Sequence, residues 1–347
     1  MNRRILIVTN TADLHADLVA ERLAQRDAPA FRLNLDEFPA RYELDIRLAR
    51  GVWGGVLRYL PTGDALDIAR IGAVWTRKTA EFAFASPDLG PQERAYAGKE
   101  MEHTLFGLLY GLDCFWMSHP AALRGAMWKG EQLARAAKHG FDVPESVVTN
   151  RVDSARAFHA AADGDIVFKT LASPFLGADS VEPEDRVAAG LPTTRIGSEH
   201  AGLLDAVAEL PCFFQRYVPK RYELRVTVID DLVFAAKIHS QDDPRTMIDF
   251  RDFSAPIRYE ATRLPDEIER RCREYVRSYG LAYGAIDLIV TPDDRYVFLE
   301  NNPAGQFLFV EQLVPEFGML DAVADRLIAG CRASARGDAR TDTHVIA

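Results

Sequence analysis

Toward the C-terminal end of the chain, two strand-like apolar runs each carry a carboxylate, and their pairing constrains the fold more than any other feature. The runs are Ala285-Ile286-Asp287-Leu288-Ile289-Val290 and Tyr296-Val297-Phe298-Leu299-Glu300-Asn301-Asn302. Side chains alternate between the faces of a strand, so Glu300 and Asn302 share one face. If Pro292-Asp293-Asp294-Arg295 is a four-residue hairpin loop, Thr291 pairs with Tyr296 and Asp287 falls directly opposite Glu300. In that register Ile286, Leu288 and Val290 share the other face with Val297 and Leu299. Opposed like charges repel unless a cation lies between them. Two carboxylates and an amide oxygen form a hard oxygen site suited to Mg2+ completed by phosphates and water. Asp287, Glu300 and Asn302 are therefore candidate metal ligands, with a solvated hairpin edge as the alternative.

A site for phosphates also needs cations. Lys169 ends the apolar run Asp165-Ile166-Val167-Phe168-Lys169, and a lysine on a largely buried strand needs an anion. A strand-end lysine reaching solvent is the competing reading. Lys129, opening a helix, is a second candidate phosphate ligand. The stretch from Gln215 to Arg225 holds four basic residues, and alternation puts Glu223, Arg225 and Thr227 opposite Leu224, Val226 and Val228. Lys237 and His239 join the Arg225 face only if the connection around Asp230-Asp231 has odd length, as in a three-residue loop with a bulge. A two-residue turn would put them on the other face. Arg225 and Lys237 are the candidate catalytic cations.

The chain has 347 residues, enough for more than one domain and for a core without disulfides. Lys and Arg number 41 against 51 Asp and Glu, a formal charge of −10, which disfavours a broad nucleic-acid or anionic-membrane surface. Cys114, Cys212, Cys272 and Cys331 form no Cys-x-x-Cys pair, so a reducing cytoplasm is expected. The run Ile5-Leu6-Ile7-Val8 is too short for a signal-peptide core, and a soluble intracellular protein is expected.

The organisation reads as α/β. A strand at Ile5–Val8 precedes a helix through Leu14, Leu18 and Leu23; Tyr42–Ala49 and Val52–Leu60 form a hairpin around Gly51; Ile71–Trp75 is a further strand, and Glu93–Leu112 a long helix. Residues 1–117 are taken as an N-terminal domain. After the turn at Ser118-His119-Pro120 a second unit begins, with a helix over Ala126–His139 and strands at Ser146–Thr149 and Ile166–Thr170. Residues Ala172–Pro192 lack periodicity and read as a functional loop. Strands at Cys212–Val218, Glu223–Ile229 and Val233–His239, a helix over Pro265–Tyr279 and the acidic hairpin follow. A last helix is expected to end near Ala329, and 333–347 to be a disordered tail. No P-loop, nucleophile-elbow or zincin motif occurs, and no cysteine carries a nucleophile signature.

In order along the chain, Lys129, Lys169, Gln215-x-x-Val218, Glu223, Asp287 and Glu300-x-Asn302 resemble the nucleotide and metal positions of the ATP-grasp superfamily. Val74-Trp75-Thr76-Arg77, Trp116 to Asn150, Thr193-Thr194-Arg195-Ile196, Phe213 to Lys220, Glu223 to Val228 and Glu300-Asn301-Asn302-Pro303-Ala304-Gly305-Gln306 resemble, more closely, the ATP-grasp maturases of ribosomal peptides, the microviridin-type or graspetide ligases. The resemblance spans most of the chain. It implies an N-terminal α/β domain (1–117), a central lobe (118–211) and a C-terminal lobe (212–332), with ATP between the two lobes. It further implies that Lys129 and Lys169 bind phosphates, and that Gln215, Tyr217 and Val218 hold adenine. Glu223 would hold ribose, Asp287, Glu300 and Asn302 would hold Mg2+, and Arg225 would face the γ-phosphate or the acceptor. The segment Leu171 to Gly177 departs from the pattern, being poorer in glycine than many phosphate-covering loops of the superfamily.

The implied activity is phosphorylation of Asp or Glu side chains of a precursor peptide, followed by attack of Ser, Thr or Lys to close a lactone or lactam. The implied partner is that peptide, leader plus core, with neither nucleic acid nor membrane; self-association into a homodimer stays open. Two other readings also stay open: a ligase adding an amino acid to a peptide or small molecule, and an ATP-binding module without turnover.

Overall fold

A computed structural model of the chain describes residues 3–78, 80–172, 191–252 and 254–341. It is α/β throughout and divides into two units. One comprises Met1–Ala122, Gly280–Tyr283 and Gly318–Ala347, the other Leu123–Tyr279 and Gly284–Phe317.

The first unit is built on β1 (Arg4–Thr9), α1 (Leu14–Gln25), β2 (Phe31–Asn34), β3 (Tyr42–Ala49), β4 (Val52–Tyr59), β5 (Ala65–Asp67), β6 (Ile71–Thr76), α2 (Pro91–Tyr110) and β7 (Phe115–Trp116). Strands β2-β1-β6-β7 form a parallel sheet, and β3-β4-β5 an antiparallel one. The run Ile5–Val8 is buried, as a continuous apolar strand in a covered parallel sheet must be. Leu6, Val8, Phe31, Leu33, Leu57, Leu66, Leu105 and Leu109 share one core. Pro91 opens α2 at its first turn, where its missing N–H costs nothing, and the Glu93 carboxylate accepts the Gly90 N–H at 2.8 Å.

A short helix, α3 (Pro120–Gly125), leads to the second unit, with α4 (Lys129–Lys138), β8 (Ser146–Thr149), α5 (Val152–Ala161), β9 (Ile166–Lys169), β10 (Thr194–Ile196) and β11 (Cys212–Arg216). Four strands form a sheet ordered β10-β9-β11-β8. Ala155, Ile166, Leu204, Val207 and Phe214 pack beneath it. Ser198–Glu209 winds as 3-10 turns. Residues 173–190, most of the expected loop, lie outside the described residues, as does the greater part of Leu171–Gly177.

Then come β12 (Tyr222–Ile229), β13 (Leu232–Ile238), β14 (Tyr259–Thr262), α6 (Asp266–Ser278), β15 (Tyr283–Val290), β16 (Tyr296–Asn302) and α7 (Leu308–Leu313). The sheet order is β14-β13-β12-β15-β16. Phe298 on β16 packs against Phe141 and Tyr275, with ring centroids 5.8 and 5.0 Å apart. The last helix, α8 (Met319–Thr341), returns to the first unit and packs on β6, β1, β7 and α1. It runs past the expected end at Ala329 and through much of the expected tail, to Thr341. Buried Met319, Val323, Ala324, Leu327 and Cys331 make its inner face, and at Gly330 any Cβ would run into the Phe115 ring.

Two expected registers are tested directly. In β15–β16, Asp287 stands opposite Glu300 as the alternation required. The loop is one residue longer than expected, because Val290 pairs with Tyr296, Thr291 Oγ1 accepts the Arg295 N–H at 3.0 Å, and Asp294 takes φ 63°. A bulge restores the pairing: the register shifts between Asp287 and Leu288, leaving Leu299 unpaired.

In β12–β13 the expectation fails. Ile229 pairs with Leu232 across a two-residue turn at Asp230-Asp231, with Asp230 at φ 54°. Leu224 therefore pairs with Lys237, and Arg225 with Ala236. Lys237 lies on the opposite face from Arg225, its ammonium 4.6 Å from the Tyr222 ring centroid and 3.2 Å from Glu260. Arg225 and Lys237 thus share no basic face.

Candidate functional site

The second unit holds a cavity whose walls come from all three segments singled out in the sequence. Lys129, Lys169, Gln215, Tyr217, Val218, Glu223, Asp287 and Glu300 all line it. Its placement follows from alternation: in β9–β11, Gln215 pairs with Val167 and Phe213 with Lys169, so Lys169, Val167 and Gln215 share the cavity face. Gln215 is buried and donates through Nε2 to Ser146 Oγ at 3.0 Å. Tyr217 is capped by the Arg195 guanidinium, 4.2 Å from its ring centroid.

Lys129 reaches the site through one clamp. Gln132, buried on α4, donates to the Asn301 carbonyl at 2.8 Å and accepts the Asn301 N–H at 2.9 Å. That pair fixes α4 against β16, and one turn earlier Lys129 Nζ lies 3.4 Å from Glu300 Oε2 and donates to the Thr170 carbonyl at 2.8 Å.

The carboxylate pair is asymmetric. Burial, reinforced by neighbouring Glu300 and Glu223, pushes Asp287 up to about 6, against the pull of Arg225. Arg225 Nη1 contacts both Asp287 oxygens, at 2.8 and 2.9 Å. Glu300 goes the other way: burial would raise it, but Lys129, Lys169 and Arg251 together hold it below the ordinary carboxylate value. Lys169 is pushed down to about 8, chiefly by burial. Asn302 Nδ2 lies 3.4 Å from a carboxylate oxygen of Asp287 and of Glu300. With its amide oxygen turned to the acids, Asn302 would set a third oxygen beside the two carboxylates. This donor set fits a hard divalent cation.

Several cavity residues were not singled out by the sequence. The Lys220 side chain is 5% exposed, its ammonium 2.9 Å from Glu223 Oε1 and from the Ile248 carbonyl. Arg251 lines the cavity while gripping Asp249 through two nitrogens at 2.7 and 2.8 Å. Ile248, Phe250, Ile289 and Leu299 add apolar wall. Leu299, expected on the face away from Glu300, is turned in by the bulge. The available signal for Arg251 was the long aperiodic connection between β13 and β14, since such loops are usually functional. Among the described residues, no cluster of three or more His, Cys, Asp or Glu side chains offers another metal site. No helix among them is long and apolar enough to cross a membrane.

Residues 4–124 match the family model described as the MvdD pre-ATP grasp domain. Among solved structures, a RiPP-associated ATP-grasp ligase of Chryseobacterium gregarium, in complex with ADP and a leader and core peptide, is 30% identical. The match covers 95% of this chain and 97% of that one, with a TM-score of 0.84. The macrocyclase MdnC of Microcystis aeruginosa MRC, bound with precursor peptide MdnA, is 28% identical over 94% and 99% of the two chains, with a TM-score of 0.80. MdnB of the same organism is 28% identical over the same shares, with a TM-score of 0.74. No curated protein sequence matches the chain. Similarity that extends over nearly the whole length of the peptide ligase from Chryseobacterium, in a chain of the same α/β construction, places this protein among the RiPP-associated ATP-grasp ligases.

Proposed function

We propose that the chain uses ATP and Mg2+ to cross-link side chains within a ribosomally made precursor peptide. The observation that carries the reading is the gathering of cations and carboxylates in one cavity. Lys129, Lys169, Lys220 and Arg251 line it together with Asp287 and Glu300, and burial moves Asp287 up and Lys169 down toward neutral pH. A polyphosphate accompanied by a divalent cation satisfies both sets at once.

In this reading Lys129 and Lys169 bind phosphates, joined by Arg251. The main chain from Gln215 to Val218 meets the adenine edge, with Val167, Ile289 and Leu299 as apolar wall, and Glu223, held by Lys220, takes the ribose hydroxyls. Asp287, Glu300 and Asn302 hold Mg2+, which supplies charge neutralisation at the phosphate oxygens. Arg225 orients the acceptor carboxylate or the γ-phosphate; Lys237, on the other face, takes no part. A precursor Asp or Glu oxygen attacks the γ-phosphorus and the bond to ADP breaks. A Ser or Thr hydroxyl or a Lys amine then attacks the acyl carbon, phosphate departs with the bonding electrons, and the proton passes to solvent. Positioning and charge stabilisation suffice, so no nucleophilic protein side chain is needed.

The partners in this reading are the leader and core segments of the precursor, and the setting is the cytoplasm. Intact-mass analysis of a cognate precursor incubated with enzyme, ATP and Mg2+ tests it. Loss of one water per bond, with one ADP released, is expected; a mass gain would mean addition of a second molecule, and no ADP release would mean a module without turnover.

A further inference from the structure

In the four-stranded sheet of the second unit, Gln215 on β11 stands between Val167 on β9 and Ser146 on β8, and pairs directly with both. It is 1% exposed, so its amide is held in place between those neighbours. The two ends of the amide have nearly the same shape but opposite chemistry: Nε2 only donates and Oε1 only accepts. Surrounding hydrogen bonds must therefore decide which end faces where.

Here a chain of two hydrogen bonds decides. Ser146 Oγ lies 2.8 Å from the Pro144 carbonyl, which can only accept, so the single hydroxyl proton of Ser146 is committed to it. The Ser146 oxygen then has only lone pairs to offer Gln215, and Gln215 Nε2 donates to it at 3.0 Å. Oε1 is left as the outward end, and among the described residues it meets no donor. Gln215 and Pro144 both line the cavity.

The proposed function puts the adenine edge along the main chain from Gln215 to Val218. Resting on that reading, we propose that Ser146 is a positioning residue for base selection: it locks the Gln215 amide with Oε1 toward the base. There Oε1 accepts from the 6-amino group of adenine and opposes the 6-oxo group of guanine or hypoxanthine. To donate to a 6-oxo group the amide must turn over. Oε1 then meets Ser146 Oγ oxygen to oxygen, unless the hydroxyl abandons the Pro144 carbonyl. Either way a hydrogen bond of the chain is lost, and buried polar groups left unpaired are what make such discrimination steep. Ser146 acts through Gln215 from an exposed position on the edge strand β8, where substitution disturbs little packing.

Titration calorimetry of the full chain with Mg2+ and either ADP or inosine diphosphate, which carries the 6-oxo group, tests this. The wild type is expected to prefer ADP by at least about thirtyfold. Ser146→Ala frees the amide to turn, so affinity for inosine diphosphate should rise by about tenfold while that for ADP changes by less than about threefold. Ser146→Thr keeps the hydroxyl on a residue suited to a strand and should keep the wild-type ratio. Selectivity imposed by the main chain is common to all three proteins, so the change in ratio reports on Ser146; circular dichroism checks that each variant is folded.

A wild type indifferent to the base, an unchanged ratio in Ser146→Ala, equal weakening of both nucleotides by that variant, or a Ser146→Thr protein as permissive as Ser146→Ala would each overturn the proposal. Binding of neither nucleotide by the wild type would overturn the nucleotide site and the proposal with it. A preference for ADP that Ser146→Ala loses, in a chain that forms no cyclised product, would support the role of Ser146 while overturning the proposed function.

Discussion

Each unit holds a buried cluster of charged groups drawn from similar residue types, and their aspartates shift in opposite directions. In the first unit, Thr9 Oγ1 donates to Asp13 at 2.7 Å, Arg77 Nε lies 3.4 Å from the same carboxylate, and His15 Nδ1 lies 3.7 Å from its other oxygen. Burial would raise Asp13, but Thr9, Arg77 and His15 outweigh it and hold the acid below its ordinary value. Burial and the Arg77 charge push His15 down to about 4. Each group is therefore in its favoured form at neutral pH: acid charged, guanidinium charged, imidazole neutral. In the second unit burial pushes Asp287 up to about 6 and Lys169 down to about 8, so both keep their charges at neutral pH but lie much closer to losing them. Burial alone does not mark a functional site. Burial that brings an acid and a base toward neutral pH beside a cavity points to one.

The comparison is most exposed to a change at the carboxylate pair. Glu300→Gln is expected to lower cyclised product by at least about a thousandfold while the protein stays folded, because the amide keeps the packing of the carboxylate but lacks the charge a divalent cation needs. Turnover by mass spectrometry beside a melting curve checks this, and an active variant would remove Glu300 from the metal set. The reverse outcome is expected in the first unit. Asp13→Asn removes a buried negative charge from beside the Arg77 guanidinium and should cost about 3–5 kcal/mol in urea denaturation, while the ADP affinity of the folded protein stays unchanged. A loss of affinity with no loss of stability would invert the assignment of the two clusters.

The pH responses should separate as well. Between pH about 4 and 6.5 the unfolded chain protonates His15 while the folded chain does not, so stability falls as pH drops through that window. Lys169 has its window at pH about 8 to 10.5, where the folded chain releases a proton that the unfolded chain keeps, so its contribution to stability rises with pH. The same deprotonation removes a cation proposed to bind phosphate. ADP affinity should therefore weaken above pH 8 by up to about tenfold per unit, and Lys169→Arg should flatten the dependence in titration calorimetry. The smallest effect is expected at Lys237→Ala, below about twofold in turnover, since that residue lies on the wrong face of its sheet. A larger loss would reopen its catalytic assignment.

Much of the second unit was legible in advance where alternation alone decides. The opposition of Asp287 and Glu300 came through because a period of two and an apolar face leave few registers. Lys169 and Gln215 were legible as strand positions, although their shared face depends on β9–β11 pairing. Lys237 was misplaced for a definite reason: alternation assigns faces within a strand, and only the length of the turn carries the assignment to the next one. Two aspartates gave no sign that Asp230 would adopt a positive φ and close a two-residue turn.

By itself the sequence determined the α/β class, the strand faces and the carboxylate pair, because each follows from spacing over a few residues. Tertiary structure decided what meets that pair. The Gln132–Asn301 clamp, spanning 169 positions of sequence, brings Lys129 to Glu300, the bulge turns Leu299 inward, and an aperiodic connection delivers Arg251. Such meetings carry no local period, and they form only when packing of whole elements repays the ordering of the chain between them.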